Sequence, residues 1–293
     1  MKDLLIRTIS GIAFIIIIIG AILWSPVSYA AIMCLILTGM MYEFLSISLK
    51  GSRMAGTILT IAAGIAVFLS LFFISGYGMP PLYLTLSFIP VVFIFISGLY
   101  VKEYNVHKEI RTPEGKIGME DNGYERSPFL LSSLLYIAVP LSMCNLIVFD
   151  PEGNYSGTLL LSLFIILWAA DVGAYCLGTL FGQKNGHRLF PSVSPKKSWE
   201  GFWGGLLCAV LAGIILNYTG LLYISLLHSI MLALLIGIFG VFGDLVESQL
   251  KRNFGVKDSG RIMPGHGGML DRFDGALLAF PIAVIYLKFF III

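Results

Sequence analysis

The chain has 293 residues, of which 57% are hydrophobic and 12% charged, with a formal net charge of +2 and a mean hydropathy of +0.90. A soluble domain carries roughly a quarter charged residues, so the composition excludes a water-soluble globule and makes lipid the solvent for most of the chain. No nucleic-acid partner is expected.

The runs Ile12–Trp24, Ile58–Ile74 and Leu226–Phe242 hold no charge, and with their flanks each approaches the roughly 20 apolar residues that cross a hydrocarbon core. In lipid every backbone polar group needs an internal partner, so such runs are helices. The strands of a lipid-facing barrel would alternate polar and apolar residues over about ten positions, and these runs do not. Lys2 and Arg7 ahead of the first isoleucine run resemble the start of a signal peptide, but Trp24-Ser25-Pro26 is a poor cleavage site and another apolar span follows at once. The segment is expected to be a retained first helix. The pattern predicts an all-α polytopic membrane protein with about nine spans, at 7–24, 27–49, 54–75, 80–100, 128–148, 156–181, 199–218, 223–248 and 276–293. Residues 1–101 form an N-terminal four-helix part, 102–127 a polar cytoplasmic loop, and 128–293 a C-terminal catalytic part of about five helices. Cys34, Cys144, Cys176 and Cys208 all fall within predicted spans and form no CxxC pair, which supports neither a disulfide framework nor a zinc site.

Of the 19 basic residues, 18 lie at the N-terminus or in the segments 50–53, 101–127, 182–198 and 249–275, and only Lys288 lies elsewhere. The other loops carry no Lys or Arg, and the two kinds alternate along nine spans. The positive-inside rule then places the N-terminus in the cytoplasm and the C-terminus outside, in the cell's inner membrane.

Polarity within the spans is uneven. The first four contain one carboxylate, Glu43, close to a cytoplasmic end and expected to snorkel to the interface. The C-terminal half contains Asp171, Glu200, Asp244 and Glu247. Ionisable groups within a span cost several kcal/mol and face a cavity or a partner, so they mark function by default. Asp244, Glu247, Ser248 and Lys251 stand at i, i+3, i+4 and i+7, on one helical face, and Asp271 and Asp274 repeat the i, i+3 relation. Mg²⁺ takes a few carboxylate oxygens and fills its shell from water and phosphate, a role that suits Asp244, Asp271 and Asp274. The spacing equally allows ion pairs with Arg252 and Arg272. Gly265-His266-Gly267-Gly268 is either an anion-binding nest of N–H groups or a plain loop. Lys196 and Lys197, in Ser194-Pro-Lys-Lys-Ser-Trp-Glu-Gly201, serve either the positive-inside rule or a polyphosphate clamp. Neither a P-loop nor an HExxH motif is present.

The stretch from Ser248 to Asp274 carries Ser248, Lys251, Arg252, Lys257, Asp258, Pro264, His266, Gly267, Gly268, Asp271, Arg272 and Asp274, and it resembles the signature of the phosphatidate cytidylyltransferases, or CDP-diglyceride synthases. Gly243-Asp244-Leu-Val-Glu247-Ser248 and Ser194–Gly201 are similar to the same family, so the resemblance covers the chain from about residue 165 onward. Val172 stands where the family commonly has a hydroxyl after the aspartate, and Ser198 where threonine is frequent. The resemblance implies conversion of CTP and phosphatidic acid to CDP-diacylglycerol and pyrophosphate, with Mg²⁺ required, by a homodimer whose site opens to cytoplasm and bilayer. It implies metal-binding Asp244, Asp271 and Asp274, with Lys251 and His266 beside them. Substrate would be held by Lys196, Lys197, Ser198, Glu200, Ser248, Arg252, Lys257, Asp258, Gly267, Gly268 and Arg272. Asp171 would belong to the polar wall or to a second, monovalent cation. A CTP-dependent lipid or polyprenol kinase and a cation-coupled transporter using Asp171, Asp244 and Glu247 are the alternatives. The DGxxAR pattern of CDP-alcohol phosphotransferases is absent.

Overall fold

The structure is a computed structural model that describes residues 2–49, 54–98, 109–111, 117–119, 128–182, 186–262, 265 and 267–290. In chain order these form α1 (Lys2–Trp24), α2 (Pro26–Leu49), α3 (Met54–Tyr77), a 3₁₀ turn Pro81–Ser87 leading into α4 (Phe88–Gly98), and the short antiparallel pair β1 (Glu109–Arg111) and β2 (Ile117–Met119). There follow α5 (Pro128–Val148), α6 (Thr158–Gly182), the antiparallel pair β3 (Arg188–Phe190) and β4 (Ser194–Ser198), α7 (Trp199–Tyr218), α8 (Leu226–Asn253) and α9 (Leu270–Phe290). The fold is that of an all-α polytopic membrane protein. Seven of these helices are long and apolar enough to cross a bilayer, and the apolar stretches Ile9–Trp24 and Pro81–Ile96 are shorter. Of the segment read as a polar loop, only β1 and β2 lie within the described residues.

Local sequence explains the breaks. Pro26 has no N–H, so the carbonyl of Ile22 loses its helical donor; the Tyr155 hydroxyl donates to it instead at 2.5 Å. Ser25 and Ser28 then start α2 reciprocally, each side chain accepting from the other's backbone N–H at 3.1 and 3.0 Å, in the manner of a capping box. Within α5 the helix widens to i→i+5 bonding over Leu134–Ala138, immediately before Pro140, whose ring cannot donate to the preceding turn.

Outward faces are apolar. Trp203, Leu207, Leu211 and Ile215 are exposed at four-residue spacing on α7, a stripe suited to lipid. The buried core runs through both halves, from Tyr29, Met33, Leu37 and Met41 on α2 to Phe164 on α6 and Phe273 and Phe280 on α9.

Of the boundaries that differ from the sequence reading, two bear on the site. α8 continues to Asn253 rather than stopping at 248, so Lys251 and Arg252 are helical. α9 begins at Leu270 rather than 276, which puts Asp271 and Asp274 in its first two turns. Acidic residues are favoured there because the first N–H groups of a helix are unpaired and carry partial positive charge.

Candidate functional site

The C-terminal ends of α6 and α8 and the N-terminal ends of α7 and α9 surround one cavity of about 700 Å³, within the range of small-molecule sites. Close helix approach builds it. A Cβ at Gly205 of α7 would lie 2.8 Å from the Ala170 carbonyl oxygen of α6, and one at Gly243 of α8 would lie 2.3 Å from that of Asp274. Small residues at these crossings let the backbones touch, and so bring Asp171, Asp244 and Asp274, each beside a crossing, to the same cavity.

Eight of the residues singled out in the sequence line it: Asp171, Lys196, Lys197, Ser198, Asp244, Asp271, Arg272 and Asp274. Lys197, on β4, pairs with the Asp244 carboxylate at 2.9 Å, and the Ser248 hydroxyl donates to the other oxygen of Asp244 at 3.1 Å. Ser198 caps α7, its hydroxyl oxygen accepting from Gly201 N–H at 3.2 Å. Its side chain is tightly enclosed: a Cβ at Gly182 would come within 2.0 Å of the hydroxyl oxygen. Asp274 accepts from Gly275 N–H at 2.7 Å.

Asp271 is the most engaged of the four aspartates. One oxygen meets the Lys251 ammonium at 2.6 Å; the other accepts from Ser259 N–H at 3.0 Å and Gly268 N–H at 2.8 Å. The Gly268 N–H therefore serves Asp271, which reaches back three residues as a capping-box carboxylate does. Lys251 is buried and also pairs with Glu247, which has no exposed surface. The single helical face of α8 thus divides in function: Asp244 faces the cavity, while Glu247 and Lys251 form the layer beneath Asp271. Lys197 and Lys251 are partners of these carboxylates, and Arg252 donates to the Val256 carbonyl at 3.1 Å.

The remaining described residues stand outside the lining. Glu200 accepts from His187 N–H at 3.1 Å and so ties the start of α7 to the β3 segment. Lys257 and Asp258 are exposed in the loop between α8 and α9. Gly267 has a φ of +87°, open to glycine at no steric cost. His266 lies outside the described residues.

Glu43 is a correction. It is 3% exposed rather than snorkelled, and its carboxylate accepts from the Ser259 hydroxyl at 3.0 Å and from Leu270 N–H at 2.8 Å. The cavity also has an apolar wall that the sequence reading did not assign, made by Phe14 and Ile15 of α1 with Trp168, Tyr175 and Phe202. An uncharged segment gives no local sign that it borders a polar site.

Four carboxylates against three cationic side chains in one lining leave an excess of hard oxygen donors. Carboxylate oxygens are the donor type that a divalent ion such as Mg²⁺ takes; among the described residues no group of three His, Cys, Asp or Glu is gathered closely enough to hold an ion.

Fold and site define a polytopic membrane protein with a charged cavity at one end of its helix bundle. The chain belongs to the cytidylyltransferase family, whose profile matches residues 5–290. It is 40% identical over 159 residues to a Staphylococcus epidermidis protein named phosphatidate cytidylyltransferase, covering 54% of this chain and 58% of that one. A Staphylococcus aureus protein of the same name is 40% identical over 160 residues, with the same coverage. One from Staphylococcus haemolyticus is 44% identical over 128 residues, covering 44% and 48%. The matched stretches span about half the length of these relatives.

Proposed function

We propose that the chain transfers CMP from CTP to phosphatidic acid, giving CDP-diacylglycerol and pyrophosphate for phospholipid synthesis. The observation that carries this reading is the gathering of Lys196, Lys197, Arg272 and four aspartates in one cavity with an apolar wall, in a chain of the cytidylyltransferase family. A soluble polyphosphate and a lipid head group meet such a site from its polar and apolar sides.

A phosphate oxygen of the lipid attacks the α-phosphorus of CTP, and the bond from that phosphorus to the oxygen bridging to the β-phosphorus breaks. Pyrophosphate leaves with the electron pair. The attacking oxygen is already anionic, so the chain need supply no strong base, and catalysis rests on positioning and charge neutralisation. Lys196, Lys197 and Arg272 neutralise and orient phosphate oxygens. Asp244 and Asp274, with Asp271, would hold Mg²⁺, which would supply electrostatic neutralisation of the charge that develops on the leaving group. Asp271 also holds Lys251 in place between its own carboxylate and Glu247. Asp171 belongs to the polar wall or to a second, monovalent cation. His266, Arg252 and Lys257 remain in the proposal as phosphate contacts on the strength of the signature.

Orientation follows from the charges: nine spans, N-terminus and site in the cytoplasm, C-terminus outside, in the inner membrane. The homodimer rests on the family resemblance. CTP labelled separately at the α- and γ-phosphorus tests the reaction. α-Label in the lipid product supports CMP transfer; γ-label there establishes a kinase instead, and substrate flux into vesicles without a product establishes a transporter.

A further inference from the structure

Glu43 stands on α2, outside the signature-bearing half, and a buried carboxylate there costs several kcal/mol unless it is well partnered. Its hydrogen-bond partners among the described residues come from the segment joining α8 to α9: one oxygen takes the Ser259 hydroxyl and Leu270 N–H, while the other is buried with no hydrogen-bond partner among them. The backbone of the same segment closes directly over the carboxylate: a Cβ at Gly260 would lie 2.2 Å from one oxygen, and one at Gly268 would lie 2.4 Å from the other. One turn earlier on α2, Gly39 faces Met269, which a Cβ would meet in ordinary contact at 3.6 Å. Leu270 N–H is among the first donors of α9 and has no intrahelical acceptor, so a carboxylate from another helix caps it with favourable charge.

The bonds continue into the site. Ser259 gives its hydroxyl to Glu43 and its N–H to Asp271, and Asp271 holds Lys251. We infer that Glu43 is a positioning residue: by locking Ser259 and the start of α9 against α2, it sets Asp271, Arg272 and Asp274 in the cavity. The role in turnover rests on the proposed cytidylyl transfer. A misplacement of about 1 Å can cost roughly 100-fold in rate, which makes kcat the sensitive readout.

The test uses the full chain in detergent or vesicles, with turnover expressed per folded molecule. Glu43→Ala is expected to lower kcat by about 100-fold, with the KM for CTP within about twofold of wild type. Glu43→Gln keeps an acceptor for Leu270 N–H and is expected to recover most of kcat. Ser259→Ala, which removes only the hydroxyl, is expected to lower kcat several-fold in the wild-type background and not at all beside Glu43→Ala. A wild-type kcat in Glu43→Ala, or an equal effect of Ser259→Ala in both backgrounds, overturns the inference. Should Glu43→Ala not fold, a wild-type kcat in Ser259→Ala overturns it. Amide exchange at Ser259 and Leu270 separates this inference from the functional reading: faster exchange in the variants supports the lock even where the wild-type chain makes no lipid product, and unchanged exchange removes it.

Discussion

Lys251 and Asp271 meet at 2.6 Å across the gap between the end of α8 and the start of α9. Each charge stands at the helix terminus that favours it, cation at the C-terminal end and anion at the N-terminal end. Glu247, one turn before Lys251, completes a row of acid, base and acid in which Glu247 and Lys251 are buried. The aspartates of α9 are held in place by this row and by the loop that Glu43 secures.

Removing the central cation leaves Glu247 buried without a counter-ion, and breaking a buried pair in this way costs about 3–5 kcal/mol. Lys251→Met is therefore expected to lower the unfolding temperature markedly, and adding Glu247→Leu should restore part of the loss. Thermal unfolding in detergent checks this. Equal stability of Lys251→Met and wild type would show that the row carries no stability.

Asp244 and Asp271 should separate in their effects. The Asp244–Lys197 pair is partly exposed, and pairs of that kind contribute about 0–1 kcal/mol. Asp244→Asn is expected to cut turnover by about 100-fold or more, the scale of losing one electrostatic stabiliser, with little change in unfolding. Asp271→Asn replaces an oxygen in a carboxylate that receives Lys251, Ser259 and Gly268, so it should lose activity and stability together. Activity like wild type in either variant would remove that aspartate from the metal set.

Lys197→Ala is expected to raise the apparent KM for CTP several-fold, because its ammonium lines the cavity, held against Asp244, and a lysine binds phosphate as a point charge. Initial rates over a CTP series measure it. An unchanged KM would remove Lys197 from the nucleotide clamp.

At the start of α7, Ser198→Ala should cost about 1 kcal/mol as a lost N-cap, and Ser198→Thr should retain it. Gly182→Ala is expected to be the more damaging change, since its methyl would overlap the Ser198 hydroxyl. Unfolding curves of the three variants give the order directly.

The helices and the polar half of the bundle are legible in the sequence because uncharged runs and isolated carboxylates report locally. The i, i+4 pairs Asp244–Ser248 and Glu247–Lys251 follow from helical spacing alone. The ends of α8 and α9 do not, since hydropathy stops at the first charges whereas a helix can carry Lys251 and Asp271 when they pair with each other. The signal for α9 is Asp271, three residues after Gly268, an acidic residue in the position that favours a helix start. The burial of Glu43 is not legible in the sequence because its partner Leu270 lies 227 residues away, and no periodicity spans that distance. Its isolation among apolar residues was the available sign, since a lone intramembrane carboxylate needs a partner. The β3–β4 hairpin gives no strand signal in the sequence because each strand is only a few residues long.

The most direct test of cytidylyl transfer at this cavity is mass spectrometry of the lipid fraction after the purified chain is incubated with phosphatidic acid, CTP and Mg²⁺, with and without EDTA. CDP-diacylglycerol accompanied by pyrophosphate, lost with EDTA and lost in Asp244→Asn, is the predicted result. Folded protein that yields neither product, or CDP-diacylglycerol made equally well by Asp244→Asn, would contradict the account.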